Sequence, residues 1–336
     1  MPRAILVEGD CLEVLRSLPS NSVDLVLGSP PYGDCRTYGI NFNLKGEDWV
    51  RWAVERYIEC YRISRGAVIW VVEGKTKNFR YEPLPALLMA DLHRAGISLR
   101  NPPIFHRVGV PGNGGPDWFR NDKEFCIAAS HGRLPWSDNT ACGHAPKFGP
   151  GGPPSMRDVN GVRATAKVQT RRKPDGTRAR DGLYVPPKVA NPGNLIQETY
   201  TTDEVAEMLA EASDVTHHKV GGGVMGDKEC HENEAPFPES LAEFFTKSCC
   251  PPAGIVADPF CGSGTTARVA LSLGRNALGI DVRGSQLDLT ERRLLRAFAG
   301  GDREGMSAVS VERLTGDVIA AALLERGRIS QKQPAA

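Results

Sequence analysis

Long apolar runs and a strong net charge are both missing from this 336-residue sequence. The longest apolar stretch, AVIWVV at 67–72, is far shorter than the roughly 20 residues that a membrane span needs. The opening MPRAILVEGD has neither the basic nor the long apolar part of a signal peptide, so no secretion is expected. With 41 Lys and Arg against 40 Asp and Glu, the net charge of +1 provides no global basic field for nucleic acid.

A cysteine framework and a zinc template are also missing. The nine cysteines are scattered without paired spacing, which predicts reduced thiols in a cytoplasmic protein. Some cysteines and histidines do lie close together, but their spacing matches no C-x₂-C or H-x₃-H pattern and no metal is predicted: Cys142 and His144, His217 and His218, Cys230 and His231.

What the sequence does contain is an alternation of short apolar strands with amphipathic helices. This order predicts an α/β fold with a mainly parallel sheet. The predicted strands are 4–8, 23–27, 66–72, 124–130, 194–200, 254–260 and 277–282, and the predicted helices are 12–18, 48–64, 84–96, 202–212, 238–249, 265–274 and 285–298. The aromatic residues of the second helix, Trp49, Trp52 and Tyr57, are expected to pack in the core.

Two regions interrupt this alternation. Residues 131–230 are predicted to be an insertion with little regular structure, since 143–154 holds eight Gly or Pro in twelve positions. Between Arg157 and Lys188 the insertion carries nine Lys or Arg against three Asp, a basic segment on a neutral chain. Residues 300–336 read as a polar tail with one possible helix near 311–326.

A glycine-rich turn between a strand and a helix, at 254–282, is the strongest chemical signal. Gly262 and Gly264 allow the backbone to approach a ligand, and the following helix start offers N–H and hydroxyl donors to an anionic group. The next strand ends in Asp281, whose carboxylate can accept hydrogen bonds from two ribose hydroxyls. No Lys follows the glycines, which excludes a P-loop ATPase, and the missing third Gly of GxGxxG disfavours a dinucleotide oxidoreductase.

The second signal is SPPY, Ser29 to Tyr32, at the end of a predicted buried strand. The two prolines direct a carbonyl away from the ladder, Ser29 adds a hydroxyl, and Tyr32 adds a flat aromatic face. These groups can accept hydrogen bonds from an amine and stack a base, an interaction of ~1–3 kcal/mol.

DPFCGSGTT together with SPPY resembles the amino-specific DNA methyltransferases, and the order of the motifs resembles their circularly permuted β group. The resemblance covers about 1–130 and 190–295. It implies a Rossmann-like, S-adenosylmethionine-dependent methyltransferase fold, with a catalytic half at 1–130, a target-recognition insertion at 131–230 and a cofactor-binding half at 231–299.

The same resemblance implies roles for individual residues. Asp10 would bind the adenine of the cofactor and Asp281 its ribose. The methionine part would be held by residues of the glycine-rich turn and of the segment before it: His231, Pro236, Phe237, Pro238, Asp258, Pro259, Phe260, Gly262, Ser263, Gly264, Thr265 and Thr266. Ser29, Pro30, Pro31 and Tyr32 would form the catalytic site for a flipped base.

The implied reaction is direct methyl transfer to an exocyclic amine, since no thiolate in a Pro-Cys-Gln context is present for carbon-5 methylation. Ser at position 29 resembles the cytosine-N4 enzymes, whereas Asp or Asn there is usual in adenine-N6 enzymes. Adenine N6, a protein glutamine or RNA base, and a DNA-binding module without activity remain alternatives.

Double-stranded DNA is the expected partner, with a homodimer and a cognate restriction nuclease as further possibilities. The insertion is expected to contact phosphates or guanine edges through its basic residues, Arg171, Arg172, Lys173, Arg178 and Arg180.

Overall fold

The computed structural model describes residues 1–33, 42–107, 117–119, 121–143, 189, 192–197, 238–299, 309–315 and 319. One compact unit comprises residues 1–138 and 193–336, and a second comprises 139–192. The elements below belong to the first unit.

The first part of the chain alternates strands and helices, and then continues with an antiparallel hairpin, a third helix and two further strands. Its elements are β1 (Arg3–Glu8), α1 (Cys11–Ser17), β2 (Val23–Gly28), α2 (Gly46–Ile63), β3 (Ser64–Val72), β4 (Lys75–Lys77), β5 (Arg80–Glu82), α3 (Leu84–Arg94), β6 (Ile104–His106) and β7 (Lys123–Ser130). The later elements are β8 (Leu195–Gln197), α4 (Glu239–Cys249), β9 (Ile255–Asp258), α5 (Thr265–Ser272), β10 (Asn276–Asp281), α6 (Gly284–Ala299) and β11 (Ser310–Leu314).

Nine of these strands form one twisted sheet in the order β11-β1-β10-β9-β2-β3-β7-β6-β8. The six strands from β11 to β3 are all parallel to their neighbours. β7 is antiparallel to both β3 and β6, and β6 is parallel to β8. The predicted α/β fold with a mainly parallel sheet is confirmed.

The alternating side chains of each central strand enter two cores, one on each face of the sheet. Val68, Trp70 and Val72 of β3 pack with α1, α2 and α3, whereas Ile69 and Val71 pack on the face that carries α4 and α5. This explains why β2 and β3 are continuous apolar runs, because a strand covered on both faces has no polar side.

The two halves of the chain meet between β1 and β10. These strands pair in parallel, with Glu8 beside Asp281, so the first strand of the chain lies next to the strand that ends the glycine-rich half. The permuted order is therefore compatible with one continuous sheet.

The structure differs from the predicted elements near the C-terminus and does not describe all of them. The helix proposed near 311–326 is wrong at its start, because residues 310–314 form β11 on the edge of the sheet, where Arg313 pairs with Asp288 and Glu291 of α6. Ile319 is helical and buried, and the rest of that segment beyond residue 315 lies outside the described residues. The predicted helix at 202–212 also lies outside them, as do the last three residues of the strand predicted at 194–200.

Candidate functional site

The structure brings the SPPY motif and the glycine-rich turn together at one edge of the sheet. β2 and β9 are parallel neighbours, with Leu25 beside Val256, so both end at the same edge. A Cβ added to Gly28 would lie 2.6 Å from Asp258 Oδ1 and 3.2 Å from Pro259 Cδ. Ser29 and Pro259 are therefore adjacent across the sheet although 230 residues separate them in the sequence.

The Ser29 hydroxyl is held in one orientation at this edge. Its Oγ donates to the backbone carbonyl of Val71 in β3 at 3.0 Å. The Tyr32 hydroxyl lies 3.3 Å from the same carbonyl and 3.5 Å from Ser29 Oγ. Because the proton of Ser29 is directed at Val71, the lone pairs of its oxygen remain able to accept a hydrogen bond from a ligand.

The other SPPY residues are fixed by the helix and strand beside them. Trp49 Nε1 of α2 donates to the Pro31 carbonyl at 2.7 Å, and Trp49 itself is fully buried. Pro30 is buried, whereas Tyr32 is half-buried, with its hydroxyl 3.4 Å from Glu124 in β7. The motif is thus anchored from β3, β7 and α2.

The glycine-rich turn has the local geometry that its sequence predicts. Gly262 and Gly264 have φ of 51° and 78°, the left-handed region that side chains rarely adopt. A Cβ on Gly264 would also meet Thr290 of α6 at 2.5 Å. Gly264 is the N-cap residue of α5 and supplies no side-chain cap, so no N-cap side chain satisfies the first N–H groups of the helix.

Two buried polar groups of this turn bear on its chemistry. Burial raises the pKa of Asp258 from 3.8 to about 7, although the nearby Thr266 hydroxyl and the Phe260 N–H, which donates to Asp258 at 3.0 Å, oppose the shift. The Thr265 Oγ1, also buried, has no hydrogen-bond partner among the described residues. A buried hydroxyl without a partner is costly, which suggests that a ligand supplies one.

The two remaining acids, Asp281 and Asp10, lie at the ends of β10 and β1. Asp281 accepts the Gly262 N–H at 2.8 Å and the Arg283 N–H at 2.9 Å, and is 8% exposed. Asp10 follows the neighbouring strand, caps α1 through the Leu12 N–H, and is half-exposed. Both carboxylates therefore face the same edge as Ser29.

Sheet order arranges these groups in a row. Crossing from β1 through β10 and β9 to β2, the strand ends carry Asp10, Asp281, the Pro259 turn and Ser29 in that order. Three inter-strand steps of ~4.8 Å make this row about 14 Å long.

An arginine that the sequence did not mark completes the Asp10 end of the row. Arg56 of α2 is 6% exposed and holds both oxygens of Asp10, at 3.0 and 2.8 Å. Its guanidinium lies 4.4 Å above the Trp52 ring, which is 5.9 Å from the Phe260 ring. Trp49 and Tyr57 are fully buried, as predicted, whereas the half-buried Trp52 contacts the Phe260 side of the site. Helical periodicity alone did not show that Arg56 is buried, whereas other charged residues of α2 face solvent.

Glu73, directly after β3, is a second residue that the sequence analysis missed. It is 4% exposed and accepts a hydrogen bond from the Tyr81 hydroxyl at 2.7 Å, while Lys123 Nζ lies 3.5 Å from its other oxygen. Burial, followed by the bond to Glu73, raises the pKa of Tyr81. A charged residue directly after an apolar strand is the feature of the sequence that could have marked Glu73 as a candidate site residue.

Some predicted site residues lie outside the described residues. These are His231, Pro236 and Phe237 of the cofactor set and all five basic residues of the insertion, Arg171, Arg172, Lys173, Arg178 and Arg180. Pro238 is described, and it is the buried residue immediately before α4.

Within the described residues, no group of three or more His, Cys, Asp or Glu side chains is placed to hold a metal ion. The seven described cysteines are all free thiols. None of the described helices is long and apolar enough to cross a membrane.

A mainly parallel sheet with a glycine-rich turn, a helix start without a side-chain cap and two acidic strand ends along one edge is typical of a Rossmann-like fold. The DNA methylase family model (N6_N4_Mtase) matches residues 23–292. The chain therefore belongs to this family of N4- and N6-amino DNA methyltransferases.

Several proteins of known name or structure are similar to this chain. The type II methyltransferase M.BglII of Bacillus subtilis is 25% identical over 298 residues, which cover 84% of this chain and 67% of the relative. The DNA adenine methyltransferase YhdJ of Escherichia coli K12 is 24% identical, over 98% of this chain and 93% of its own. The structure of PvuII DNA methyltransferase, described as cytosine-N4-specific, aligns with a TM-score of 0.56 at 16% identity, over 97% of this chain and 93% of that one. TTHA0409 of Thermus thermophilus, solved with S-adenosyl-L-methionine, has a TM-score of 0.49 at 20% identity, over 93% of this chain and 99% of its own.

Proposed function

We propose that this chain transfers a methyl group from S-adenosylmethionine to the exocyclic N4 amine of cytosine in double-stranded DNA. The observation that carries the proposal is the Ser29 hydroxyl, whose proton is directed at Val71 and whose oxygen is left as an acceptor beside the Pro259 turn. Such an acceptor can orient an amine toward a ligand held by that turn.

The residues along the sheet edge fit S-adenosylmethionine in both chemistry and order. Asp10 would accept from the adenine amine, and Asp281 from the ribose hydroxyls with the acceptor capacity that Gly262 and Arg283 leave. The uncapped start of α5 and the unpartnered Thr265 hydroxyl would take the methionine carboxylate. When bound, this cofactor supplies a methyl group on a positively charged sulfur.

The protein's part in the reaction is mainly positioning. A flipped cytosine would stack on Tyr32, and its amine would donate to the Ser29 oxygen and to the Pro30 carbonyl. These two acceptors direct the nitrogen lone pair along the sheet edge, toward the turn at 259–264. The nitrogen would form a bond to the methyl carbon that the cofactor supplies, as the carbon–sulfur bond breaks and its electron pair stays on sulfur. The amine then loses one proton to water.

A covalent route through a cysteine finds no support at this site. Cys261 is the cysteine within the glycine-rich turn, and it is 4% exposed. Burial, with Asp258 and Asp281 nearby, raises the pKa of its thiol well above the ordinary value. The reactive thiolate is therefore disfavoured at neutral pH.

The preference for cytosine over adenine rests on Ser29, a neutral acceptor where the adenine-N6 enzymes usually have Asp or Asn. Adenine N6 is the second candidate, because the relative YhdJ is named a DNA adenine methyltransferase. The acceptors at the sheet edge can bind the exocyclic amine of either base.

Mass analysis of nucleosides, after incubating the purified chain with DNA and cofactor, tests both candidates at once. We expect N4-methylcytosine alone. A Ser29→Ala variant should lose most activity while its cofactor affinity, measured by calorimetry, stays within about two-fold. Recovery of methyladenine alone would refute the cytosine assignment, and the absence of any cofactor binding would favour the non-catalytic DNA-binding module.

The basic residues Arg171, Arg172, Lys173, Arg178 and Arg180 are proposed as the target-recognition contacts to DNA. M.BglII and M.ScaI are named type II methyltransferases and M.BamHII an orphan one, so both a companion restriction nuclease and an independent role have precedent among the relatives. Self-association as a homodimer is likewise a proposal, and analytical ultracentrifugation tests it.

A further inference from the structure

The hairpin formed by β4 and β5 carries an exposed phenylalanine in an unfavourable backbone conformation. Its two-residue turn, Asn78 and Phe79, has φ of 51° and 62°. This is the type I′ geometry, in which Asn-Gly is the favoured pair because the second residue needs positive φ. Phe79 is nevertheless there, and it is 78% exposed.

Neither folding nor turn geometry accounts for this residue. Its ring buries little surface in the protein, so it contributes little hydrophobic stabilisation. A bulky side chain at positive φ is an outlier that persists where the surroundings enforce it, and such outliers concentrate at functional sites. Glycine at position 79 would suit the turn better.

The hairpin starts at the edge of the sheet where the proposed target base would bind. Ser29 and Tyr32 both contact the carbonyl of Val71, and β4 begins only four residues later. Tyr81 fixes the base of the hairpin through its bond to Glu73. A Cβ on Gly74 would meet the Glu82 carbonyl at 2.3 Å, so the two ends of the ribbon lie close together directly after β3.

Charge and length fit the hairpin to duplex DNA. Lys75, Lys77 and Arg80 give it three positive charges against the single negative charge of Glu82, and residues 76–81 are all exposed. Three strand residues before the turn extend about 10 Å. The major groove admits a two-stranded ribbon and is ~8.5 Å deep, so the tip can reach the base pairs.

On the basis of the proposed function, we propose that Phe79 inserts into the base stack next to the flipped nucleotide, with Lys77 and Arg80 at the flanking phosphates. Flipping leaves a gap whose exposed bases lose their stacking partner. Apolar side chains such as Phe insert between base steps in other DNA-binding proteins, which reach these steps from the minor groove. The hairpin would therefore stabilise the flipped state, while SPPY holds the base itself.

A Phe79→Gly variant separates this role from a structural one, because glycine relieves the backbone while removing the ring. Methylation is compared on two duplexes that contain the methylated site, which is first identified by sequencing that maps modified bases in DNA from an expressing cell. One is fully paired, and in the other the target base faces an abasic position, so that flipping is inexpensive. Leu295→Ala, which truncates an exposed side chain on α6, is the matched control.

We expect Phe79→Gly to lower kcat/KM at least ten-fold on the paired duplex and less than three-fold on the duplex with the abasic position. Its melting temperature should not fall, and its cofactor affinity should stay within two-fold of the native value. Leu295→Ala should match the native chain on both duplexes. Arg80→Gln should reduce the slope of log affinity against log salt by about 0.9 for one lost phosphate contact.

Equal activity of Phe79→Gly and the native chain on the paired duplex would overturn the inference. An equal loss on both duplexes would also do so, because a wedge acts on flipping. The exposed aromatic residues Trp118 and Phe119 provide a further test. The inference is also overturned if their substitution, and not that of Phe79, lowers activity on the paired duplex while sparing the duplex with the abasic position. If the native chain methylates neither duplex, the proposed function itself fails, a result distinct from the other three.

Discussion

Replacing Gly28 with alanine perturbs the joint between the two halves of the site. The new Cβ would lie 2.6 Å from Asp258 Oδ1, about 0.8 Å inside the ~3.4 Å of ordinary contact. Because Asp258 is 3% exposed and the same oxygen accepts the Phe260 N–H, it cannot move without shifting the turn. Overpacking of this kind costs about 1–3 kcal/mol. A displacement near 1 Å at a reacting centre can lower the rate ~100-fold.

We therefore expect Gly28→Ala to remain folded, with a melting temperature a few degrees lower and kcat reduced ~100-fold in a filter assay with labelled cofactor. Gly193→Ala is the control, since the nearest atom to its added Cβ is 3.9 Å away. If Gly28→Ala retains native kcat and stability, the ends of β2 and β9 do not meet as described, and the inferred site is wrong.

Three further changes test individual parts of the site. Asp281→Asn keeps the shape of the side chain but removes its charge. Because hydrogen bonds to charged groups contribute about 1.5–3 kcal/mol, we expect the cofactor Kd to rise at least ten-fold in calorimetry. An unchanged Kd would exclude the ribose contact. Because burial raises the pKa of Asp258 from 3.8 to about 7, the folded state retains a proton that the unfolded chain releases. Its stabilising contribution is thus full below about pH 4 and is lost as pH rises toward 7. The melting temperature should therefore fall between pH 5 and pH 8 in the native chain and fall less in Asp258→Asn. Equal falls in the two proteins would contradict this. Asp24 accepts the Ile255 N–H at 2.8 Å and pairs with Arg65, so Asp24→Ala should lower the free energy of unfolding by about 1–3 kcal/mol in urea titration, and Asp24→Asn by less because its amide oxygen can still accept from Ile255. Equal losses would contradict this, because the hydrogen bond from Ile255 would then contribute nothing beyond the charge.

Much of the fold was predictable because its periodicities are clear. The apolar runs of β2 and β3 and the amphipathic pattern of α2 fixed their type and position to within two residues. β11 was missed because the two apolar residues of SVERL, Val311 and Leu314, are three positions apart, a spacing that indicates a surface helix rather than a strand. The β4–β5 hairpin was missed because Asn-Phe lacks the glycine that marks such turns.

Among the site residues, local motifs identified those whose backbone conformation their own sequence dictates. Gly262 and Gly264 are of this kind, because only glycine adopts their positive φ without strain. Arg56 and Glu73 were not identified, since each depends on a partner distant in sequence: Arg56 pairs with Asp10, and Glu73 with Tyr81 and Lys123.

The sequence by itself determined the alternating elements, the glycine-rich turn and the SPPY motif, because these follow from local steric and hydrophobic patterns along a few residues. Only the tertiary structure decided that β1 lies beside β10 and β2 beside β9, which places Asp10, Asp281, Pro259 and Ser29 in a row. It also decided where the Ser29 proton points, since its acceptor is the Val71 carbonyl on another strand. Strand pairing is a long-range contact, and no local pattern of residues specifies which strand becomes the neighbour.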